Sequence, residues 1–563
     1  MPHVITQQCC SDATCVIECP VDCIRPRPGD PEFVSAEMLY IDPDACIDCG
    51  ACVPVCPVDA IRADDDLSPS QIPMAELNAA YFQQHPLASD LGSVVPVVMP
   101  FATKDARKLH VAIVGSGPAG CYTARDLLDR GARVTMFERL PVPWGLARSG
   151  IAPDHTETQR ITDMFATLLD CRDFELAANI TVGEHISHDE LLANHHAVVY
   201  AVGAPIGRKA GIAGEELAGS HAAIEFFGWY NGNPEHSDRV FDLSGQRAVI
   251  IGNGNVALDI ARILATDPTE LATTDIADHA LEALRRSNIR EIVVLGRRGP
   301  VHAAYTAPEF LALGAVSGVD IVIDQAELGL DLASKAILDS VEVEPWVRLK
   351  VRVAEQYAKA SLRPGNRRIV LRYLVSPIAI EGSDRTEAVI VERNAVRALD
   401  EELGAVPSEK RERLDTSLVL HAVGFDRAPV AGVPFDRYRR AIENVGGRAV
   451  GADGRALPGV YVVGWAKRGP HGSIGTNRAD ARQTVDCLAE DYLAGILGAP
   501  PIDSAELSTV LSLRRPERIG KEQWLAIDAV ERSTGQSVGR PRIKLTTAAA
   551  LADAARRSRG VRV

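Results

Sequence analysis

From residue 109 onward the chain alternates short β-branched apolar runs with stretches of helical periodicity. That is the pattern of parallel strands buried on both faces and connected by helices. The runs fall at residues 110–114, 133–138, 197–202, 248–251, 291–295, 417–423 and 459–463, and each predicts a strand. Two of them lead into glycine-rich turns 137 residues apart, at Gly115 and Gly252, which predicts two nucleotide-binding units. Residues 67–108 lose this rhythm. They combine a short amphipathic piece at 74–82 with Pro, Ser and Gly, and predict a tether partly docked on its neighbours. The most apolar stretch, 91–102, is interrupted by Pro96 and Pro100 and is shorter than the ~18 residues of a membrane span. The last 60 or so residues read as helical and tail-like.

Composition sharpens this division. A chain of 563 residues predicts three or four domains. The net charge of −15 argues against nucleic acid as the main partner. Residues 1–66 hold 13 Asp/Glu against 3 Lys/Arg, a net of −10, whereas the other 497 residues carry 62 against 57, a net of −5. Nine of the twelve cysteines lie between Cys9 and Cys56. Such clustering points to one metal module in a cytoplasmic protein rather than to an evenly disulfide-bonded secreted one. The start MPHVITQQCC also lacks the basic and apolar regions of a secretory signal.

The second half of that module reads Cys46-x₂-Cys49-x₂-Cys52-x₃-Cys56-Pro57. This is the bacterial ferredoxin run, whose fourth cysteine ligates the other of two clusters. Cys19-Pro20 mirrors Cys56-Pro57, so Cys19 is expected to complete the Cys46/Cys49/Cys52 cluster. A zinc site would want paired CxxC knuckles and often histidine; the first half has no knuckle, and no histidine lies between Val4 and Gln84. The second cluster is expected on Cys15, Cys56 and one of the adjacent pair Cys9 and Cys10, with Cys9 favoured. The region resembles seven-iron ferredoxins, which implies one 4Fe–4S cluster and one 3Fe–4S cluster, the latter open to being 4Fe–4S here. Cys23 matches a non-ligand cysteine of that group. The five residues between Cys9 and Cys15 are fewer than the seven usual there.

The first glycine turn is Gly115-Ser-Gly117-Pro-Ala-Gly120, and the strand at 133–138 ends in Glu138, 18 residues on, where a ribose hydroxyl must be held. These residues alone leave FAD and NAD both open. The second turn is Gly252-Asn253-Gly254-Asn255-Val256-Ala257. The strand after it ends in Gly296-Arg297-Arg298, with two guanidiniums in place of the acid an NAD site would use, so it predicts NADP(H). The insertion at 266–288 lengthens the spacing and reads as extra helix.

With both turns in place, the chain from about 108 resembles the adrenodoxin-reductase type of ferredoxin–NADP reductase. The resemblance rests on VGSGPAG, on PVPWGLARSGIAPDH at 141–155, on IIGNGNVALDIARIL, on GRRGP at 296–300 and on VVGWAKRGPHGSIGTNR at 462–478. It implies an α/β flavoprotein with two dinucleotide-binding domains and Rossmann-like parallel sheets, preceded by an α+β bacterial ferredoxin domain. The expected division is a two-cluster ferredoxin at 1–66, a linker at 67–108, an FAD domain at 109–206 plus 421–500, an NADP domain at 207–420, and a C-terminal helical tail at 501–563. The resemblance also implies roles. Gly115, Gly117, Gly120, Glu138, Leu146 and Val182 would line FAD, with Trp465, Gly472, Ser473 and Ile474 at the flavin. Arg208, Asn253, Gly254, Asn255, Val256, Arg297, Arg298 and Glu309 would contact NADP. His155 and Glu309 would form a polar pair near the nicotinamide, steering protons.

NADPH gives two electrons as hydride, clusters take one at a time, and a flavin can hold one or two, so the flavin belongs between them. The expected function is therefore a ferredoxin–NADP reductase with its own ferredoxin, passing electrons to or from an external ferredoxin or cytochrome-type acceptor. Two alternatives stay open: a flavoprotein subunit feeding another enzyme, as in the small subunit of glutamate synthase, and a non-catalytic redox sensor.

Overall fold

A computed structural model describes residues 2–87, 109–399, 402–498 and 504–557. The latter half of the expected linker, 88–108, and the junctions at 400–401 and 499–503 lie outside the described residues.

The cysteine module is built on two short antiparallel pairs, His3–Ile5 with Ile61–Ala63 and Ile24–Arg25 with Tyr40–Ile41. The helix Ile72–Gln84, which covers the amphipathic piece expected in the linker, is part of this module. Its Asn78 side chain accepts the N–H groups of Ile5 at 3.3 Å and Ile41 at 2.8 Å and donates to the Ile5 carbonyl at 3.0 Å. Met74, Leu77 and Tyr81 bury the same helix face. One buried amide thus ties both strand pairs together, and the module extends to about residue 87.

The first large sheet has seven strands in the order Asn444–Val445, Arg448–Val450, Ala456–Val462, Ala197–Tyr200, His110–Val114, Arg133–Glu138 and Phe174–Ala178. Five are parallel, and the first two form an antiparallel edge. The second sheet has six parallel strands, Ser220–Ala222, Leu418–His421, Arg247–Ile251, Glu291–Leu295, Arg367–Arg372 and Val319–Ile323. It lies in sequence between the two parts of the first. A two-stranded ribbon, Ile206–Gly207 with Phe425–Asp426, carries the chain out and back. An antiparallel arm, Val375–Glu381, Ala388–Leu399 and Glu402–Asp415, has no counterpart among the expected strands.

The segment expected as a tail forms helices Ser504–Arg514, Lys521–Gln536 and Ala548–Arg556, and all three are packed rather than trailing, the first through Leu507 and Leu511. Trp524, Ile527, Leu551 and Ala554 join the core of the first sheet domain. Glu531, fully buried, accepts from Arg148 at 2.7 Å and Arg542 at 3.1 Å. Among the described residues no helix is long and apolar enough to cross a membrane.

Candidate active site

Both glycine turns sit between a buried strand and a helix N-terminus, the arrangement that offers backbone N–H groups and a favourable dipole to a pyrophosphate. Gly115 (φ +107°) lies so close to the neighbouring strand that a Cβ would stand 2.4 Å from the Ala201 carbonyl oxygen. A Cβ on Gly120 would lie 2.1 Å from the Gly115 oxygen, whereas Gly117 faces open space. This cradle fits a dinucleotide. Glu138 ends the adjoining strand, and its carboxylate accepts the Ser116 N–H at 3.1 Å and hydroxyl at 2.6 Å, next to the turn. Leu146 opens the short helix Leu146–Ser149 just after Gly145, whose Cβ would be 2.9 Å from the Gly117 Cα. Val182, half-buried, lies in the loop beyond Phe174–Ala178.

The second turn repeats the geometry. A Cβ on Gly252 (φ +110°) would lie 2.3 Å from the Ala422 oxygen, and helix Asn255–Ala265 starts immediately after Gly254. Asn255 accepts the Thr306 N–H at 2.8 Å, fixing the turn against the loop that leads to Glu309. Asn253 and Val256 flank it. Arg297 is exposed and Arg298 half-buried at the end of the next strand. Their carbonyls are held by the antiparallel arm, Arg297 O by Asn394 at 2.9 Å and Arg298 O by Leu374 N at 3.4 Å. Among the described residues neither guanidinium has an ion-pair partner, as a site for a 2′-phosphate requires. Arg208 is exposed, its backbone N–H on Gly424 O at 3.0 Å in the ribbon between the domains.

His155 and Glu309 meet where the two domains face each other. His155 Nε2 lies 3.7 Å from a Glu309 oxygen and 3.9 Å from Asp259. Three residues not expected from the sequence complete the cluster. Arg262, on the same helix as Asp259, donates to Asp154 at 2.6 Å and Asp259 at 2.7 Å and lies 3.5 Å from Glu309. Burial pushes the Glu309 carboxyl up, partly offset by His155. Burial also works against ionisation of Asp154, but Arg262 more than offsets it, and Asp154 is held below its ordinary range.

Trp465 stacks on Phe425 of the ribbon, ring centroids 5.6 Å apart, with Gly472, Ser473 and Ile474 seven to nine residues beyond it. Here the cysteine module meets the body. The Cys10 carbonyl accepts the Gly475 N–H and the Ser473 hydroxyl, both at 2.8 Å. A Cβ on Gly475 would lie 2.2 Å from Asp12 N, so only glycine admits the module this closely. Asp12 accepts from Tyr122 at 2.7 Å and pairs with Arg478 at 3.1 Å. On the second domain, Tyr40 stacks against Trp346, and Glu37 pairs with the buried Lys350 at 3.0 Å.

The thiols form two groups. Cys19, Cys46, Cys49 and Cys52 line one pocket, together with His3 and Cys23. Cys9, Cys15 and Cys56 neighbour one another on the side toward the body. Three sulfurs accept backbone N–H groups, Cys9 from Ser11 at 3.4 Å, Cys19 from Cys23 at 3.4 Å and Cys56 from Ala60 at 3.2 Å. Burial pushes the Cys9 thiol up to about 11 and Cys15 well above the usual range. Buried thiols that need a cation to ionise, with N–H donors aimed at sulfur, fit cluster ligation.

Residues 39–62 match the family described as "4Fe-4S binding domain", and residues 109–293 match "Pyridine nucleotide-disulphide oxidoreductase". The chain is 44% identical over 566 residues to the "Probable ferredoxin/ferredoxin--NADP reductase" of Mycobacterium tuberculosis, covering 99% of this chain and 95% of that protein. It is 45% identical over 459 residues to that organism's "NADPH-ferredoxin reductase FprA", covering 79% of this chain and 98% of the relative. The solved structure of M. tuberculosis FprA in complex with NADPH matches with TM-score 0.75 at 43% identity, covering 80% of this chain and all of that one. The chain belongs to the ferredoxin/ferredoxin–NADP reductase family, flavoprotein oxidoreductases of the two-dinucleotide-domain fold, here with an N-terminal ferredoxin module.

Proposed function

We propose that the protein moves electrons between NADPH and an external one-electron acceptor through its own FAD and two iron–sulfur clusters. The observation that carries this reading is the seat of residues 10–12 on Ser473, Gly475 and Arg478, which supports electron exchange between one thiol group's cluster and a flavin held at this loop. When bound, NADPH supplies a hydride, FAD takes up two electrons and releases them singly, and each cluster holds one.

The chain's own residues place these groups. Gly115, Gly117 and Gly120 admit a pyrophosphate, and Glu138 exchanges its Ser116 contact for a ribose hydroxyl. Leu146 and Val182 give apolar cover, and Trp465 with Gly472–Ile474 closes the flavin side. Asn253, Gly254, Asn255 and Val256 cradle the second pyrophosphate, while Arg297 and Arg298 take a 2′-phosphate and Arg208 adds charge. Glu309, whose carboxyl burial pushes up, lies 3.7 Å from His155 and can exchange a proton with it, and Arg262 holds the carboxylates of Asp259 and Glu309 beside the ring. Cys19, Cys46, Cys49 and Cys52 hold the outer cluster. Cys9, Cys15 and Cys56 hold the inner one, with Cys10 serving the interface by its carbonyl. The cytoplasmic reading rests on the reduced thiols this module needs.

Anaerobic titration with NADPH, followed by EPR and visible absorbance, tests the reading. Flavin and cluster signals are expected to change together, and NADP⁺ is expected to reoxidise dithionite-reduced clusters. Clusters that exchange no electrons with the coenzyme in either direction overturn it.

A further inference from the structure

The module's two thiol groups face different surroundings. The inner group lies against the body, and the Cys10–Asp12 backbone covers the flavin-side loop so closely that Gly475 has no room for a Cβ. An outside protein cannot reach the flavin through that loop. The outer pocket, by contrast, is lined only by residues between His3 and Cys52, none from the body. Cys49 is exposed at its mouth. Two apolar side chains of its lining are exposed, Val21 at 36% and Ile47 at 60%, and Ile17, two residues before Cys19, is 51% exposed.

The module's acids divide along the same line. Those facing the body are paired with its bases, Asp12 with Arg478, Glu37 with Lys350 and Asp59 with Arg160. Glu18 beside Cys19, Asp44 two residues before Cys46, and Asp48 beside Cys49 are exposed on the outer side, Asp48 with one oxygen 3.1 Å from His3 Nδ1. The module has three arginines, and all three are bonded to its own acids, Arg25 and Arg27 to Asp22 and Arg62 to Asp59. The mouth of the outer pocket is therefore apolar at its centre and acidic at its rim.

We propose that this mouth is the docking surface for the external partner, a one-electron carrier protein whose redox centre is ringed by lysine or arginine. The inference rests on the reading that Cys19, Cys46, Cys49 and Cys52 hold a cluster. The overall exchange is NADPH + 2 acceptor(oxidised) → NADP⁺ + H⁺ + 2 acceptor(reduced), each acceptor gaining one electron at the mouth with no bond made or broken there. Acid–base complementarity sets the encounter rate and register, and the apolar centre lets the two surfaces exclude water.

The test uses the anaerobic holoprotein with two probes, cytochrome c, which is lysine-rich, and the same protein with its lysines succinylated. In Glu18→Lys/Asp44→Lys, Kd for cytochrome c from calorimetry and its second-order reduction rate are each expected to worsen about tenfold or more at low ionic strength. The succinylated probe is expected to improve. A control of equal charge change on the body, Glu270→Lys/Glu522→Lys, on exposed residues of helices that make no hydrogen bond or ion pair to the module among the described residues, is expected to stay within about twofold of wild type. Carbodiimide cross-links from cytochrome c lysines are expected at Glu18, Asp44 or Asp48. If the lysine pair fails to load its clusters, Glu18→Gln/Asp44→Asn is expected to shift Kd in the same direction by a smaller factor. Equal effects from the two charge-reversed pairs, or cross-links confined to the body, overturn the proposal. EPR of NADPH-treated wild type separates the outcomes: unreduced clusters sink the proposed function, whereas reduced clusters with a partner bound elsewhere sink only this docking surface.

Discussion

Glu37 and Lys350 join the cysteine module to the second nucleotide domain, and their burial makes the junction sensitive to losing either one. The side chains are 9% and 6% exposed. Lys350 Nζ reaches Glu37 at 3.0 Å and the carbonyls of Ala303 and Tyr305 only at 3.4 and 3.2 Å. The other Glu37 oxygen accepts the Ala307 N–H at 2.6 Å, at the start of the helix that carries Glu309. Glu37→Gln leaves an ammonium ion buried with two long carbonyl contacts. Removing one partner of a buried pair costs about 3–5 kcal/mol, and the carbonyls bring the expected loss to about 2–4 kcal/mol.

Lys350→Met leaves a carboxylate that burial already pushes up. That variant can take up a proton and so limit the damage. The folded state then binds the proton more tightly than the unfolded one, so its stability falls as pH rises above the ordinary carboxyl range. Glu37→Gln has no such slope at this site. The double variant Glu37→Gln/Lys350→Met is expected to recover about 2 kcal/mol relative to the sum of the singles. Guanidinium unfolding followed by cluster absorbance at pH 5.5 and 8 provides the assay. Single losses below about 1 kcal/mol, typical of an exposed pair, or a strictly additive double, would refute the reasoning.

Arg297→Ala and Arg298→Ala are each expected to weaken NADPH by roughly ten- to a hundredfold, from ~1.5–3 kcal/mol per guanidinium–phosphate contact, with little change in NADH use. An unchanged coenzyme ratio in the double variant would sink that assignment. Gly475→Ala forces a Cβ to within 2.2 Å of Asp12 N and is expected to slow flavin-to-cluster transfer in stopped flow while NADPH still reduces the flavin. Burial pushes His195 down to about 4 from 6.5, and His110 down to about 2. The unfolded chain therefore takes up these protons first as pH falls through 6.5. His195 alone is expected to cost up to about 3 kcal/mol of stability by pH 4, seen as a falling urea midpoint that His195→Leu flattens. Rising ionic strength is expected to slow cytochrome c reduction far more than internal flavin-to-cluster transfer, because the module is packed against the body. A more salt-sensitive internal step, measured by stopped flow, would contradict that packing.

What the sequence made legible was set by local rules. Strands at 110–114 and 291–295 are buried on both faces, so they are continuous apolar runs that composition alone marks. The glycine turns are legible because close backbone approach leaves no substitute for Gly115 or Gly252. Arg367–Arg372 is missed because three of its six residues are arginines, one of them bonded to Glu327 at the strand's C-terminal end. The antiparallel arm is missed for a similar reason, since residues 409–413 are exposed and charged. Helix Ile72–Gln84 reads as linker because its decisive residue is a polar one, Asn78, whose partners lie 37 and 73 residues away. Asp154 and the i,i+3 pair Asp259 and Arg262 come to Glu309 from segments more than 45 residues away from it, and no spacing rule links those segments. Gly475 did carry a signal. A glycine just before a helix, in GSIGTNR, marks a close approach, but the sequence does not say that the approaching group is Asp12.

The packing of the module also bears on how its two thiol groups can be used. A tether of this length alone would hold a free ferredoxin at an effective concentration on the order of millimolar, enough for repeated encounters without any fixed contact. A mobile carrier therefore has no need of a buried ion pair or of a glycine contact with no tolerance. This module has both, one on each nucleotide domain. Buried ion pairs add little net affinity over apolar contacts, but they penalise any register that leaves one partner unpaired. Glu37–Lys350 thus selects one orientation, with Cys9, Cys15 and Cys56 inward and Cys49 outward, and the half-exposed Asp12–Arg478 pair is consistent with it. In that orientation the inner group alone lies toward the flavin cradle and the outer group alone meets the mouth. On the proposed reading the two groups would act in series, and exchange with an outside protein would be governed by the outer rim rather than by the body.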